Sequence, residues 1–216
     1  RRREAKPWFL RWWFYGPVAV MILGAVVVWF TAMYFMAQFE SRAAEFDLSE
    51  LEHMEAASVI YDREGRELGK IFLQNRHPVS LDQVAPMMEK AVIAAEDNNF
   101  ASHGGVDYMG VLRAAVANYQ RGKISQGAST VTQQLARNSF DLKERTYQRK
   151  FLEMFLAQRI ERNLSKDKIM ELYLNRVYFG SGFYGVDAAA RGYFGRSAKE
   201  LDIGQCAMLA GLPKAP

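Results

Sequence analysis

Three polar clusters carry side chains whose types and spacing suit chemistry. The densest is Glu96-Asp97-Asn98-Asn99-Phe100-Ala101-Ser102-His103-Gly104-Gly105. Glu96 closes the apolar run Ala91–Ala95, so its carboxylate leaves a core wall where a cleft could open, a placement that suits a general base. The same pattern also describes a helix C-terminus running into a polar turn. The second cluster is Gly127-Ala128-Ser129-Thr130-Val131-Thr132-Gln133-Gln134, followed by Arg137 and Asn138. Ser129, Thr130 and Gln133 place hydroxyl and amide groups at a predicted helix N-terminus, where unpaired backbone amides favour an anion. A capped helix with a polar face accounts for it equally. In the third, Arg149 and Glu153 are i,i+4, and Lys150 and Glu153 are i,i+3, with Arg145 just before them. All three can share one helix face. A surface salt bridge there is worth about a few tenths of a kcal/mol. The alternative is a basic clamp for phosphate with one carboxylate beside it.

Ser165-Lys-Asp-Lys168 matches S-x-x-K, the opening of the penicillin-binding serine signature, but the companion S-D-N and K-T-G elements are missing. Ser165 reads as a helix cap. The single Cys206 permits no internal disulfide, and no Cys/His cluster suggests a zinc site.

Helices must position these clusters. Apolar residues recur at 3–4 spacing over Leu81–Ala95 and Tyr108–Tyr119, and Tyr147–Ile160 carries Phe151, Leu152, Phe155, Leu156 and Ile160 on one side. Ser129 is predicted to cap a helix running through Asn138, and Ser165 one through Leu174. Ser197 and Glu200 have capping-box spacing, and the apolar run Ala207–Leu212 follows. Ser58–Asp62 and Leu68–Leu73, joined by Arg63–Arg66, read as a short hairpin.

Ahead of these lies a stretch of different character. Trp12–Phe39 holds 28 residues without a charge. As a helix it would span about 42 Å, against a hydrocarbon core of roughly 30 Å. Trp8, Trp12 and Trp13 crowd its N-terminal edge, as rings at a membrane interface do, while Trp29 sits deeper. Its length and the lack of a nearby A-x-A site distinguish it from a cleaved signal peptide. The reading is a basic cytoplasmic tail (1–11), a transmembrane anchor (12–39), a polar connector (40–57) and an outer domain (58–216). Arg1, Arg2, Arg3, Lys6 and Arg11 against Glu4 account for the whole formal net charge of +4. Everything after residue 11 is therefore neutral taken together, which argues against a nucleic-acid partner.

The ordered motifs resemble the peptidoglycan glycosyltransferases, glycosyltransferase family 51, found in class A penicillin-binding proteins and their monofunctional relatives. The likeness rests on Glu96-Asp-x-x-Phe100-x-x-His103-x-Gly105, Gly127-x-Ser-Thr-x-Thr-Gln-Gln134 and Arg149-Lys-x-x-Glu153. It continues through Lys168-Ile-Met-Glu171-x-Tyr173-Leu-Asn175 and Ala189-Ala-x-x-Tyr-Phe-Gly195. It implies a mainly α fold: a lysozyme-like lobe, a small membrane-associated lobe around residues 106–126, and one N-terminal transmembrane helix. It implies that lipid II is polymerised into β-1,4-linked glycan strands, by inverting transfer from a chain on undecaprenyl pyrophosphate. By the same resemblance Glu96 is the base toward the acceptor 4-hydroxyl and Glu153 assists on the donor side. Arg137, Arg145 and Lys150 hold the leaving pyrophosphate, and Asp97, Phe100, His103, Ser129, Thr130, Gln133 and Arg149 take substrate-binding positions. A divalent cation, Mg²⁺ or Mn²⁺, is expected, with no ligands assigned. Expected partners are membrane lipid and other cell-wall synthesis proteins, with the domain on the outer face of a bacterial cytoplasmic membrane.

Two features depart from the family pattern. Gln205 stands where the family usually has Glu, and the chain ends at Pro216, where family members continue. Residues preceding Arg1 are expected in a longer protein, and a transpeptidase domain after Pro216 was either removed or never present; the sequence leaves both open. The nearest rival is a membrane-anchored lytic enzyme, which needs a sugar groove and an acid but no pyrophosphate clamp. A non-catalytic scaffold would be expected to lack Glu96 or Glu153.

Overall fold

The computed structural model describes residues 12–54, 58–71, 75–122, 127–142, 144 and 146–214. They fall into two compact units, one ending at Arg42 and one beginning at Ala43. The chain is mainly helical.

The first unit is built on α1 (Trp12–Glu45), which runs the full length of the apolar stretch and beyond. Over Tyr15–Glu45 it is long and apolar enough to cross a membrane, and its apolar window is not buried. Such a surface, carrying exposed Val20, Ile22, Leu23 and Phe30, is at odds with water as the only surroundings.

In the second unit, β1 (Ser58–Tyr61) and β2 (Glu67–Ile71) form the expected antiparallel hairpin, with an irregularity at Ile60/Tyr61. Asp62 closes its turn by accepting from the amides of Glu64 and Arg66. Residues 72–73, expected at the end of the second strand, lie outside the described residues. Next, β3 (Asn75–Arg76) pairs in parallel with the distant β4 (Phe183–Tyr184).

The helix expected over Leu81–Ala95 is shorter than predicted. Leu81–Gln83 form a 3₁₀ turn, Val84 and Ala85 are extended, and α2 runs from Pro86 to Glu96. Proline disfavours helical backbone at the residue before it and lacks the N–H that a first helical position leaves unpaired anyway, so the helix starts at Pro86. The α3 helix (Tyr108–Arg121) ends on Gly122 in the left-handed conformation. In α4 (Val131–Ser139) the cap is Thr130, not the predicted Ser129, with Thr130 Oγ1 accepting from the Gln133 amide. The Ser129 hydroxyl is engaged elsewhere. α5 (Tyr147–Asn163) is capped by Thr146. α6 (Lys166–Arg176) is capped by Ser165 as expected, which accounts for the S-x-x-K pattern.

α7 (Val186–Phe194) was not anticipated, and it stops at Gly195 in the left-handed conformation. Ser197 and Glu200 form the predicted capping box on a 3₁₀ turn. A second box, Asp202 with Gln205, opens α8 (Ile203–Gly211). Gln205 Oε1 accepts from the Asp202 amide at 3.1 Å, and Asp202 Oδ1 from the Gln205 amide at 2.9 Å. Glu or Gln can complete such a box, so this departure from the family pattern falls on a helix start.

The core is one cluster. It joins Met88 and Val92 of α2, Leu135 and Ala136 of α4, Leu156 and Ile160 of α5, and Leu209 of α8 around α6. From Ile169 to Arg176, α6 is buried on nearly every side. α2 packs on α8, while α4 packs on both α5 and α6. Buried polar groups tie remote segments to this core. Asn175 donates to Val79 O and accepts from the Val79 amide. Arg159 donates to the carbonyls of Ala43 and Phe46, and Arg176 to those of Glu50, Leu51 and His53.

One glycine in the turn after α2 is required by two constraints. Gly105 has φ +97°, and a Cβ there would lie 2.6 Å from the Ala157 carbonyl carbon of α5. Gly105→Ala is expected to cost about 2 kcal/mol or more, read as a lower thermal midpoint; an unchanged midpoint would mean that the turn can move away from α5.

Candidate active site

Glu96 is the last residue of α2, and its two carboxylate oxygens are in different situations. Oε2 accepts from Gln134 Nε2 at 2.7 Å. Oε1 is buried and has no hydrogen-bond partner. The Tyr173 hydroxyl stands 3.5 Å from Gln134 Oε1, a long contact that favours the amide orientation aiming its NH₂ at Glu96. Burial, and then the charge of Glu96, push the Tyr173 phenol above its usual range, so it stays protonated. Glu96 thus has one oxygen fixed by Gln134 and the other left without a hydrogen bond. It lines a cleft of about 270 Å³ together with Asn98, Asp107, Arg113, Gly127 and Ser129.

Asp97, Phe100 and His103 support this cleft. The Asp97 side chain is only 3% exposed. Its Oδ2 accepts from the Val131 amide at 3.0 Å and from His103 Nε2 at 2.9 Å. The Gly105 amide donates to His103 Nδ1 at 3.2 Å, which assigns the imidazole proton to Nε2. Phe100 is buried in the core and meets the His103 ring edge-on. Asp97 therefore joins the turn after Glu96 to the first residue of α4. Phe100 and His103 lie beneath the cleft lining, and Thr130 closes the same turn by donating to Gly105 O at 2.7 Å.

The cations gather on the other side of α4. Lys150 Nζ donates to Ser129 Oγ at 2.7 Å, Gln133 Oε1 at 2.8 Å and Glu153 Oε2 at 3.2 Å. Glu153 is 1% exposed, so this is no surface salt bridge. Arg149 Nη1 lies 3.1 Å from Glu153 Oε1 but is not aligned as a hydrogen bond, and Glu153 Oε1 and Arg149 Nε both stay unpartnered. Burial holds the Lys150 ammonium below the usual lysine range; Glu153 opposes that, while Arg137 and Arg149 add to it. Arg137 is partly buried on α4, with no side-chain partner among the described residues. Arg145 lies outside the described residues.

Gln133 and Gln134 explain how one short helix serves both groups. Consecutive helical residues point about 100° apart. Gln133 faces Lys150 and Gln134 faces Glu96.

For a divalent cation, the described residues contain no gathering of three His, Cys, Asp or Glu side chains. They do not form a dedicated cage, and Mg²⁺ ordinarily completes its shell from one or two carboxylates, substrate phosphates and water.

Residues 64–216 match the family model described as Transglycosylase. The chain belongs to the transglycosylase family. Among similar proteins, it is 46% identical over 200 residues to penicillin-binding protein 1A of Aquifex aeolicus, covering 92% of this chain and 28% of that one. With penicillin-binding protein 1A of Escherichia coli the identity is 44% over 208 residues, covering 96% and 24%. With that of Neisseria gonorrhoeae it is 47% over 157 residues, covering 73% and 20%. The chain spans about a quarter of the length of these curated relatives. The helical lobe of this transglycosylase agrees with the lysozyme-like fold that the motifs imply.

Sequence reading did not single out Gln134, Tyr173 or Arg113 as site residues. Gln134 and Tyr173 are visible only as members of motifs, because their role depends on which way α4 and α6 face. Arg113 interrupts an apolar α3 face, and its exposure beside Met109, Leu112 and Val116 was the available signal.

Two outcomes are expected. Gln134→Leu, which takes the donor from a half-buried carboxylate, lowers turnover about tenfold or more in a steady-state polymerisation assay. Because Lys150 has a lower pKa folded than unfolded, the unfolded chain binds that proton more tightly, so its contribution to stability rises with pH up to the ordinary lysine value of 10.5. Denaturant midpoints of Lys150→Met, compared with the parent from neutral pH upward, should lack that increment.

Proposed function

We propose that this transglycosylase domain polymerises lipid II into β-1,4-linked glycan strands, releasing undecaprenyl pyrophosphate with inversion at the anomeric carbon. One observation carries the reading. A carboxylate with a free, buried oxygen, Glu96, stands across α4 from a half-buried ammonium held by Ser129, Gln133 and Glu153.

Glu96 Oε1 takes the proton of the acceptor 4-hydroxyl as that oxygen attacks the donor's anomeric carbon. The bond to the pyrophosphate oxygen breaks on the opposite face. Negative charge then grows on the leaving group, where Lys150, Arg149, Arg137 and Arg145 neutralise it. Glu153 keeps Lys150 and Arg149 in place; its buried charge is matched by theirs. The Ser129 hydroxyl and the Gln133 amide orient the ammonium, and with Thr130 they border the sugar-phosphate region. Arg113 adds a cation to the cleft that holds Glu96. A divalent ion, Mg²⁺ or Mn²⁺, would supply further charge to the pyrophosphate.

The membrane features support the same substrate. α1 anchors the domain with the basic tail in the cytoplasm. The exposed Tyr108, Met109, Leu112, Val116 and Tyr119 of α3 form the apolar side of a small lobe that meets the lipid surface of a bacterial inner membrane. Other wall-synthesis proteins are its expected neighbours there. A lytic enzyme would have no use for Lys150 and Arg149 gathered around one buried carboxylate, with Arg137 near the ammonium.

The test is incubation of the detergent-solubilised protein with labelled lipid II and a divalent cation, with products resolved on a gel. A ladder of long glycan is expected from the parent and none from Glu96→Gln. Glu153→Gln and Lys150→Ala should each lose about 10²–10³ in rate. Shortening of preformed glycan without polymer would establish the lytic reading in its place.

A further inference from the structure

Behind the cleft, an ion pair that the reaction scheme does not use reaches both walls of the site. Lys166, the first residue of α6, donates through Nζ to His103 O at 2.7 Å and to Glu161 Oε1 at 2.7 Å. The same ammonium lies 4.5 Å from the centre of the Phe100 ring. Glu161, on α5, also accepts from Thr132 Oγ1 at 2.6 Å through that same oxygen. The Glu161 side chain is 7% exposed, so its charge is screened little by water.

Two connections leave this pair. One runs through His103 O and Phe100 into the turn that follows Glu96. The other runs through Thr132 into α4, between the cap Thr130 and the two glutamines that face Lys150 and Glu96. We propose that Lys166 and Glu161 are positioning residues, which hold the turn after Glu96 and the first turn of α4 at a fixed separation and so set the distance between the base and the cations. Neither group lines the cleft. They act through the elements that carry Glu96, Gln133 and Gln134, whose geometry would relax if the pair were lost. Because reacting atoms must be held within a fraction of an ångström, a displacement of about 1 Å is worth on the order of a hundredfold in rate.

The kinetic part rests on the polymerase reading above; the structural part does not. In steady-state assays with lipid II, Lys166→Ala is expected to lower kcat about ten- to a hundredfold while KM stays within about twofold. Lys166→Arg, which keeps the charge and donors, should recover most of that loss. Thr132→Val removes one connection at nearly constant shape and keeps the test open if Lys166→Ala folds poorly; it should give a smaller fall in kcat with the same KM. Hydrogen exchange provides the second readout: in Lys166→Ala, amides of residues 97–105 and 131–134 should exchange faster, while those of α7 and α8 keep the parent's rates. Unchanged kcat, a loss confined to KM, or uniformly faster exchange would each overturn the proposal. A parent that makes no polymer would count against the polymerase reading, and the exchange pattern alone would then decide whether Lys166 holds the turn.

Discussion

The site depends on keeping a carboxylate and an ammonium close without letting them neutralise each other. If Glu96 and Lys150 met, the carboxylate would lose its unpartnered oxygen and the ammonium part of its free charge. α4 stands between them and gives each a neutral partner. Gln134 donates to Glu96, and Gln133 accepts from Lys150. A glutamine can do either, because its amide carries both donor and acceptor atoms. The separation therefore uses one residue type twice, turned by the helical screw.

Everything around α4 fixes its position. Its first amide is taken by Asp97, its cap closes onto Gly105, and its second residue reaches Glu161. Three of its first turn's contacts are thus to the turn that follows Glu96 or to α5, which carries Arg149, Lys150 and Glu153. Below, Leu135 and Ala136 are fully buried against the core around α6. A helix of nine residues has little stability of its own. It is ordered by the same contacts that make the site, so folding of α4 and assembly of the site are one event.

Much of this was legible in the sequence where a local rule carries the information. The i,i+3 and i,i+4 spacing brought Arg149, Lys150 and Glu153 together, Ser165 capped α6, and the apolar run before Glu96 marked where its helix would end. Local rules failed where two of them competed. Apolar periodicity extended a helix back to Leu81, but Pro86 decides where the backbone can become helical. Ser129 and Thr130 are both good caps; Lys150, distant in sequence, takes the Ser129 hydroxyl and leaves Thr130 to do it. α7 escaped notice because it is only nine residues long and opens on Gly185 with no side-chain cap to mark its start. The difference between a buried ion pair and a surface one at Glu153 lay in how closely α4 packs on α5, which no spacing within α5 reveals.

The lobe grips the segment from Ala43 to His53 by its main chain. Arg159 and Arg176 between them bind five carbonyl oxygens there and no side chains. Every residue type brings a carbonyl, so these five bonds ask nothing of the side chains; the apolar anchors Ala43 and Leu51, buried in the core, supply what sequence dependence there is. A solvent-facing position such as Glu45 is free to drift without loosening these bonds, while Glu52 adds an ion pair to Lys168 at 3.8 Å; the two arginines, 17 residues apart on the lobe, are not free to change. Among diverged relatives, this stretch would then be recognised by the arginine pair that holds it and by its small and apolar anchors at 43 and 51, rather than by its polar letters.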